Sequence, residues 1–237
     1  MREGNKKRIS SSLNDFWYLV GLIATDGCLM KDGRHINITS AEKDYLNLIK
    51  RQLGLRNKIG LKLNGAGKVG YQLQLGNVRL WRQLQNLGLS PRKSLIMSSL
   101  RIPDSFFPDF LRGVIDGDGC IRRWNHPQNG NEQWCLVIYS SAPLFTKWLY
   151  EKIEQLFKVR GVIITQTAEL PRHPMYRIKL GKLAARRILG ICYKKESLSL
   201  KRKYLLAEQC VASYVGWTRS LTVKNIARVE EWHTRET

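Results

Sequence analysis

Apolar residues at helical spacing open the chain, with Phe16, Leu19, Val20 and Ile23 on one predicted helix that Asn14 or Asp15 is placed to cap. The period then drops to two across Ile36-Asn-Ile-Thr-Ser40, which predicts a half-buried strand. Helical spacing returns with Leu46, Ile49 and Leu53. Two alternating stretches follow, 58–63 and 69–75, joined around Asn64-Gly65-Ala66-Gly67, and a further helix is predicted over 78–87.

The same order then recurs. Phe107, Phe110, Leu111 and Val114 mark a helix with Asp104 or Asp109 as its predicted cap, and Leu136-Val-Ile-Tyr-Ser140 marks a strand. Phe145, Leu149, Ile153 and Leu156 mark the next helix; strands over 162–169 and 175–180 join around Pro171, and a helix spans 183–191. The pattern is α-β-β-α-β-β-α written twice, an α+β plan made by duplication. It divides the chain into an N-terminal half, 1–101, and a C-terminal half, 102–237, with the break near Ile102-Pro103. Residues 218–237 have no counterpart in the first half and are predicted to add one helix.

The strongest internal likeness lies in the first helix of each half. Leu19-Val-Gly-Leu-Ile-Ala-Thr-Asp-Gly-Cys-Leu29 recurs as Leu111-Arg-Gly-Val-Ile-Asp-Gly-Asp-Gly-Cys-Ile121. Gly21 and Thr25 are four apart, as are Gly113 and Gly117, which puts small residues on one face of each helix and lets two backbones approach. Packed through those faces, the helices must deliver Asp26 and Asp118 side by side. Two carboxylates about 4 Å apart repel by about 4 kcal/mol at an effective dielectric of 20, so the pair calls for a cation, and hard oxygen ligands with open positions suit Mg²⁺. The alternative is that each Asp-Gly merely ends a helix, but two copies with the same downstream order argue against it.

Charge supplies the substrate class. The 237 residues carry 40 Lys and Arg against 19 Asp and Glu, a formal charge of +21, and the surplus is spread along the whole chain. A folded polyanion-binding surface follows. With metal-bridging carboxylates, that surface points to phosphodiester hydrolysis, and the twin acids predict attack on two strands. Five cysteines (Cys28, Cys120, Cys135, Cys192 and Cys210) show no zinc-type spacing and read as reduced, mostly buried residues. The longest apolar patch, 16–24, is too short to span a membrane. No secretory leader follows the basic residues Arg2, Lys6, Lys7 and Arg8, which predicts an intracellular protein of cytoplasm, nucleoid or organellar matrix. Two further motifs are set aside. Gly65-Ala-Gly67-Lys68-Val-Gly70 lacks the spacing and the Ser or Thr of a P-loop, and His126-Pro-Gln-Asn129 lacks the second histidine of an HNH site. Trp17, Trp81 and Trp148 read as core, whereas Trp124 and Trp134 flank a turn-rich loop within reach of a nucleic acid.

Residues 13–210 resemble the single-chain, two-motif LAGLIDADG homing endonucleases through 19–27 and 111–119, with Ala24 departing from the acidic residue common at that place. The resemblance implies a homing-endonuclease fold of two pseudo-symmetric halves, each with an antiparallel DNA-binding sheet. It implies a monomer that hydrolyses both strands of a long, pseudo-asymmetric DNA target, with an RNA maturase acting on intron RNA, or a non-cleaving DNA-binding regulator, as alternatives. The expected metal ligands are Asp26 and Asp118 with the backbone of Thr25 and Gly117. Mg²⁺ or Mn²⁺ is expected to support cleavage and Ca²⁺ binding alone. Lys93 and Lys203, in the matching elements Ser90-Pro-Arg92-Lys93 and Leu200-Lys-Arg202-Lys203, match the family's basic catalytic position; Ser40 and Ser140 fall where a water-positioning residue is expected. The Met1 start favours a free-standing enzyme over an intein. Base contacts are expected from outward strand positions: Asn37, Thr39, Lys58, Lys62, Gln72 and Gln74 in the first half, and Arg122, Arg123, Gln133, Gln166, Arg177 and Lys179 in the second.

Overall fold

Two helices, α1 (Leu13–Thr25) and α4 (Phe107–Asp118), are buried almost all round and form the centre of the molecule. A helix apolar on every side has to be enclosed, and these two enclose one another. The computed structural model describes residues 12–63, 67, 69–167 and 173–213. Outside them lie the basic residues of 1–11, most of the Gly65 turn, the Pro171 turn and the helix expected over 218–237.

Each central helix runs directly into a sheet. After α1 come β1 (Gly27–Leu29), β2 (His35–Ser40), α2 (Lys43–Gln52), β3 (Ile59–Leu63), β4 (Val69–Gly76) and α3 (Val78–Asn86). After α4 come β5 (Gly119–Asn125), β6 (Glu132–Ser140), α5 (Pro143–Phe157), β7 (Val162–Gln166), β8 (Met175–Leu180) and α6 (Lys182–Cys192), with α7 (Lys201–Ala212) added. The sheets are antiparallel, four-stranded and ordered alike, β1-β2-β4-β3 and β5-β6-β8-β7. The architecture is the expected α+β duplication.

Period-two alternation assigns the sheet faces. Ile36 pairs with Leu75 and Ile38 with Leu73 on the helix side of the first sheet; Leu136 pairs with Leu180 and Ile138 with Ile178 on the helix side of the second. All eight are buried. The intervening residues face away from the helices, on what is here called the open face. Leu61, Leu63 and Val69, in contrast, are exposed even though all three share the parity of the core. The β3–β4 hairpin carries these residues beyond the helix layer, so alternation there no longer means burial.

The caps differ from expectation. Ser12 caps α1, its Oγ accepting from Asp15 N, which leaves Asp15 to accept from Gln52 Nε2. A short 3₁₀ turn, Asp104–Phe106, leads into α4, where Pro108 stands in the first turn and no side chain caps the end. Asp109 is instead paired with Arg112 inside the protein. Trp17 and Trp81 are core residues as expected; Trp134, expected within reach of a nucleic acid, is buried instead, and Trp124 is exposed. Of the cysteines, Cys135, Cys192 and Cys210 are buried, Cys28 is exposed, and all five are free thiols. Among the described residues no helix is long and apolar enough to cross a membrane.

Candidate active site

The glycines of the repeated motif are where the central helices touch. A Cβ on Gly21 would sit 2.0 Å from Phe110 O, one on Gly113 2.1 Å from Tyr18 O, and one on Gly117 1.9 Å from Thr25 Oγ1. Any side chain there would force the backbones apart. Thr25 keeps its hydroxyl on its own helix, donating to Gly21 O and Leu22 O. The close crossing brings the C-terminal ends of α1 and α4 together, and each ends in an acid: Asp26 caps α1 and Asp118 is the last residue of α4. Gly27 and Gly119 follow as the first strand residues, so each acid stands where a central helix becomes a sheet. Thr39 N and Oγ1 both donate to Asp26 O, fixing that junction in the first half.

The pair is short of positive charge. Burial pushes Asp26 up to about 6, and Asp118 beside it pushes the same way; Lys203, Lys93 and Arg202 oppose the rise without cancelling it. Asp118 is also raised, by the partial desolvation of its position, against the pull of Lys93 and Lys203. Both acids stand at the negative ends of helix dipoles, which further disfavours their ionised forms. Two carboxylates with backbone carbonyls close by are hard oxygen donors of the kind Mg²⁺ takes when waters and phosphate oxygens complete its shell, so the residues present fit a divalent ion. Among the described residues no group of three or more His, Cys, Asp or Glu side chains gathers into a metal site.

Lys93 and Lys203 are buried behind the acids. Lys203 Nζ donates to Ile115 O, Asp116 O and Gly117 O at 2.6, 2.7 and 3.3 Å, gathering carbonyls of the last turn of α4, of which Ile115 O also accepts from Gly119 N. Lys93 Nζ donates to Gly27 O at 2.6 Å. Burial lowers both ammonium pKa values, and the two aspartates raise them. The lysines come from unlike backbones and bond different carbonyls, since Lys203 lies on α7 and Lys93 follows Arg92, a left-handed residue with φ 58°. Gly117 O is therefore already engaged by Lys203.

Sequence reasoning missed Asp116, which stands where the first copy has Ala24. Its carboxylate is buried and accepts from Tyr18 Oη at 2.7 Å, Tyr193 Oη at 2.6 Å and Leu200 N at 2.7 Å, while Tyr18 also bonds Tyr45. Desolvation raises the pKa of Asp116 and its hydrogen bonds oppose the rise. Arg112 is buried too, donating to Asp109 Oδ1, Cys192 O and Leu198 O. These groups tie the central helices to the elements around them. An apolar helix carrying a charged residue was the available signal, but the partners are too distant in sequence to name from it.

Ser40 and Ser140 end matching strands. Both are on the helix side of their sheets, opposite Tyr71 and Tyr176, and their Oγ atoms accept from Glu42 N and Ala142 N. They shape the turns into α2 and α5.

Register sorts the expected base-reading residues. Asn37 pairs with Gln74 and Thr39 with Gln72 on the first open face, and Lys62 lies on the same face beside Gly70. Lys58 is exposed just before β3. In the second sheet a cleft of about 400 Å³ is lined by Arg122, Arg177 and Lys179 with Trp124, Val137, Tyr139 and Ile164. Gln133 opposite Trp124, and Gln166 opposite Met175, share that face. Arg123 also borders the cleft, although its register sets it on the other face of β5, where it pairs with Trp134, lies over that indole and forms an ion pair with Glu132. Its ion pair with Glu132 joins the far ends of β5 and β6.

No family model and no curated protein matches the sequence. Solved structures do match the fold. The homing endonuclease I-WcaI bound to its DNA recognition sequence aligns over 87% of this chain and 95% of its own, with a TM-score of 0.60 and 12% identity. I-DmoI in complex with DNA and Ca aligns over 84% and 96%, with a TM-score of 0.53 and 16% identity. Full-length DUF199/WhiA from Thermatoga maritima aligns over 96% of this chain and 69% of its own, with a TM-score of 0.54 and 14% identity. Further I-DmoI complexes with DNA were obtained with Mg or Mn. The central helix pair, the twin acids at its end and the two like-ordered sheets thus form the LAGLIDADG homing-endonuclease fold.

Proposed function

We propose that this protein is a site-specific endonuclease that hydrolyses a phosphodiester bond in each strand of a long DNA target. One observation carries the reading: two acids in equivalent places of a duplicated fold emerge together from a crossing so tight that three motif positions, Gly21, Gly113 and Gly117, have no room for a side chain. A merely structural helix end needs neither the pairing nor the raised pKa of Asp26. The excess of cationic residues, and the DNA in complexes of I-WcaI and I-DmoI, support a DNA partner. The halves 1–101 and 102–237 would then each address one half of the target.

In this reading Asp26 and Asp118 would hold divalent metal, Mg²⁺ or Mn²⁺. Bound metal would neutralise the phosphate, activate a water and stabilise the leaving oxygen. Lys93 and Lys203 hold the helix ends and keep both acids more readily ionised than they would otherwise be. The open faces carry the base and phosphate contacts, with phosphate neutralisation making binding fall steeply as salt rises.

The test is cleavage of a plasmid library carrying randomised inserts. Purified full-length protein in Mg²⁺ should linearise one subset of clones sharing a motif, with both strands cut, and in Ca²⁺ it should bind the same motif without cutting. Binding without cleavage in Mg²⁺ and Mn²⁺ would instead establish a non-cleaving DNA-binding protein, and binding to intron RNA alone a splicing cofactor.

A further inference from the structure

The two open faces share one register but not one chemistry. Ser40 pairs with Tyr71 as Ser140 pairs with Tyr176, so Gln72 and Gln74 occupy the places taken by Arg177 and Lys179. Across the neighbouring strand, Asn37 and Thr39 stand where the second half has Val137 and Tyr139. The first face is thus neutral and amide-rich at its centre, and the second is cationic with an apolar neighbour. Edge strands differ in the same way, Gly60 lying opposite Gln72 where Ile164 lies opposite Arg177.

These differences fall on atoms that await partners. Asn37 Oδ1 and Arg177 Nε are buried and lack a hydrogen-bond partner. One is an acceptor in the first half and the other a donor in the second. A carboxamide offers a donor and an acceptor together, which match N7 and the N6 amino group of adenine in the major groove; guanidinium and ammonium groups offer donors alone, which match N7 and O6 of guanine.

We infer that the two half-sites of the target differ in composition, with A·T pairs under Gln72 and Gln74 of the first sheet and G·C pairs under Arg177 and Lys179 of the second. The inference rests on the site-specific nuclease reading and adds to it the identity of the base pairs. The charge difference also makes the halves bind unequally, the second resting more on cationic contacts that salt weakens.

The experiment is selection from randomised duplex DNA by full-length protein in Ca²⁺, followed by the same selection with Arg177→Gln and with Gln72→Arg. Wild type should recover a motif with A·T pairs at central positions of one half-site and G·C pairs at those of the other. Arg177→Gln should lower preference for G·C at one position of the second half-site by about tenfold or more and leave the first unchanged. Gln72→Arg, made at a position that packs little of the core, should shift one position of the first half-site from A·T toward G·C. A recovered motif whose composition ignores these residues overturns the inference and leaves the nuclease reading standing. Equal weakening of all sequences by Arg177→Gln would make that residue a phosphate contact and overturn it too. Recovery of no motif at all defeats the nuclease reading itself.

Discussion

Replacing Asp26 by Asn should make the metal-free protein more stable at neutral pH while removing the proposed metal ligand. Folding lifts the Asp26 carboxyl from 3.8 to about 6, so the folded state disfavours the ionised form. For a carboxylate raised in this direction the folded chain binds more protons than the unfolded one between the two values, and stability falls as pH rises. The penalty is absent below about pH 4 and complete above pH 6. A shift of about two units corresponds to about 3 kcal/mol at 1.36 kcal/mol per unit, and solvent screening at this half-buried position reduces it to about 1–2 kcal/mol. Asn keeps the shape and removes the charge. At 2–4 °C per kcal/mol for a chain of this size, Asp26→Asn should melt about 2–8 °C above wild type at pH 8 in EDTA, with the gap closing by pH 4. Added Mg²⁺ or Ca²⁺ should stabilise wild type and leave the variant behind. Equal or lower melting of the variant at pH 8, or a gap that persists unchanged at pH 4, would refute the reasoning.

Three other outcomes follow from the same geometry. Gly113→Ala places a methyl 2.1 Å from Tyr18 O and should cost about 3 kcal/mol or prevent folding, whereas Gly33→Ala, with open space around a left-handed glycine, should cost about 1 kcal/mol in urea denaturation. Asp116→Ala strands two tyrosine hydroxyls and Leu200 N and should cost about 3–5 kcal/mol by the same assay, although the residue touches no part of the proposed metal pair. Lys203→Met removes a cation that lowers both acids, so the acid limb of the pH–cleavage profile should move to higher pH and move back when Mg²⁺ is raised.

The central helices were legible because their apolar spacing, small faces and acids recur in one order, and the sheet faces because Ile36, Ile38, Leu73 and Leu75 alternate without interruption. Where a local feature overrode the period, reading failed. A strand's parity separates Arg122 from Arg123, and the overshoot of the β3–β4 hairpin exposes Leu61 and Leu63. The turn-shaping bonds of Ser40 and Ser140 were not legible, because a serine that turns the chain and a serine that positions water look alike in sequence. Asp116 was invisible because its role is set by Tyr18, Tyr193 and Leu200, which only the fold assembles. Lys93 and Lys203 were found by their place in the repeat, but not their burial or their bonds to backbone carbonyls, Gly27 O at the start of β1 and Ile115 O in the last turn of α4.

The claim that Asp26 and Asp118 form one two-strand cutting centre is tested most directly by measuring binding and strand cleavage together for Asp26→Asn and Asp118→Asn on the selected target. Each variant should bind the target in Ca²⁺ as wild type does and give no double-strand cleavage in Mg²⁺. Undiminished double-strand cutting by either variant would contradict the account.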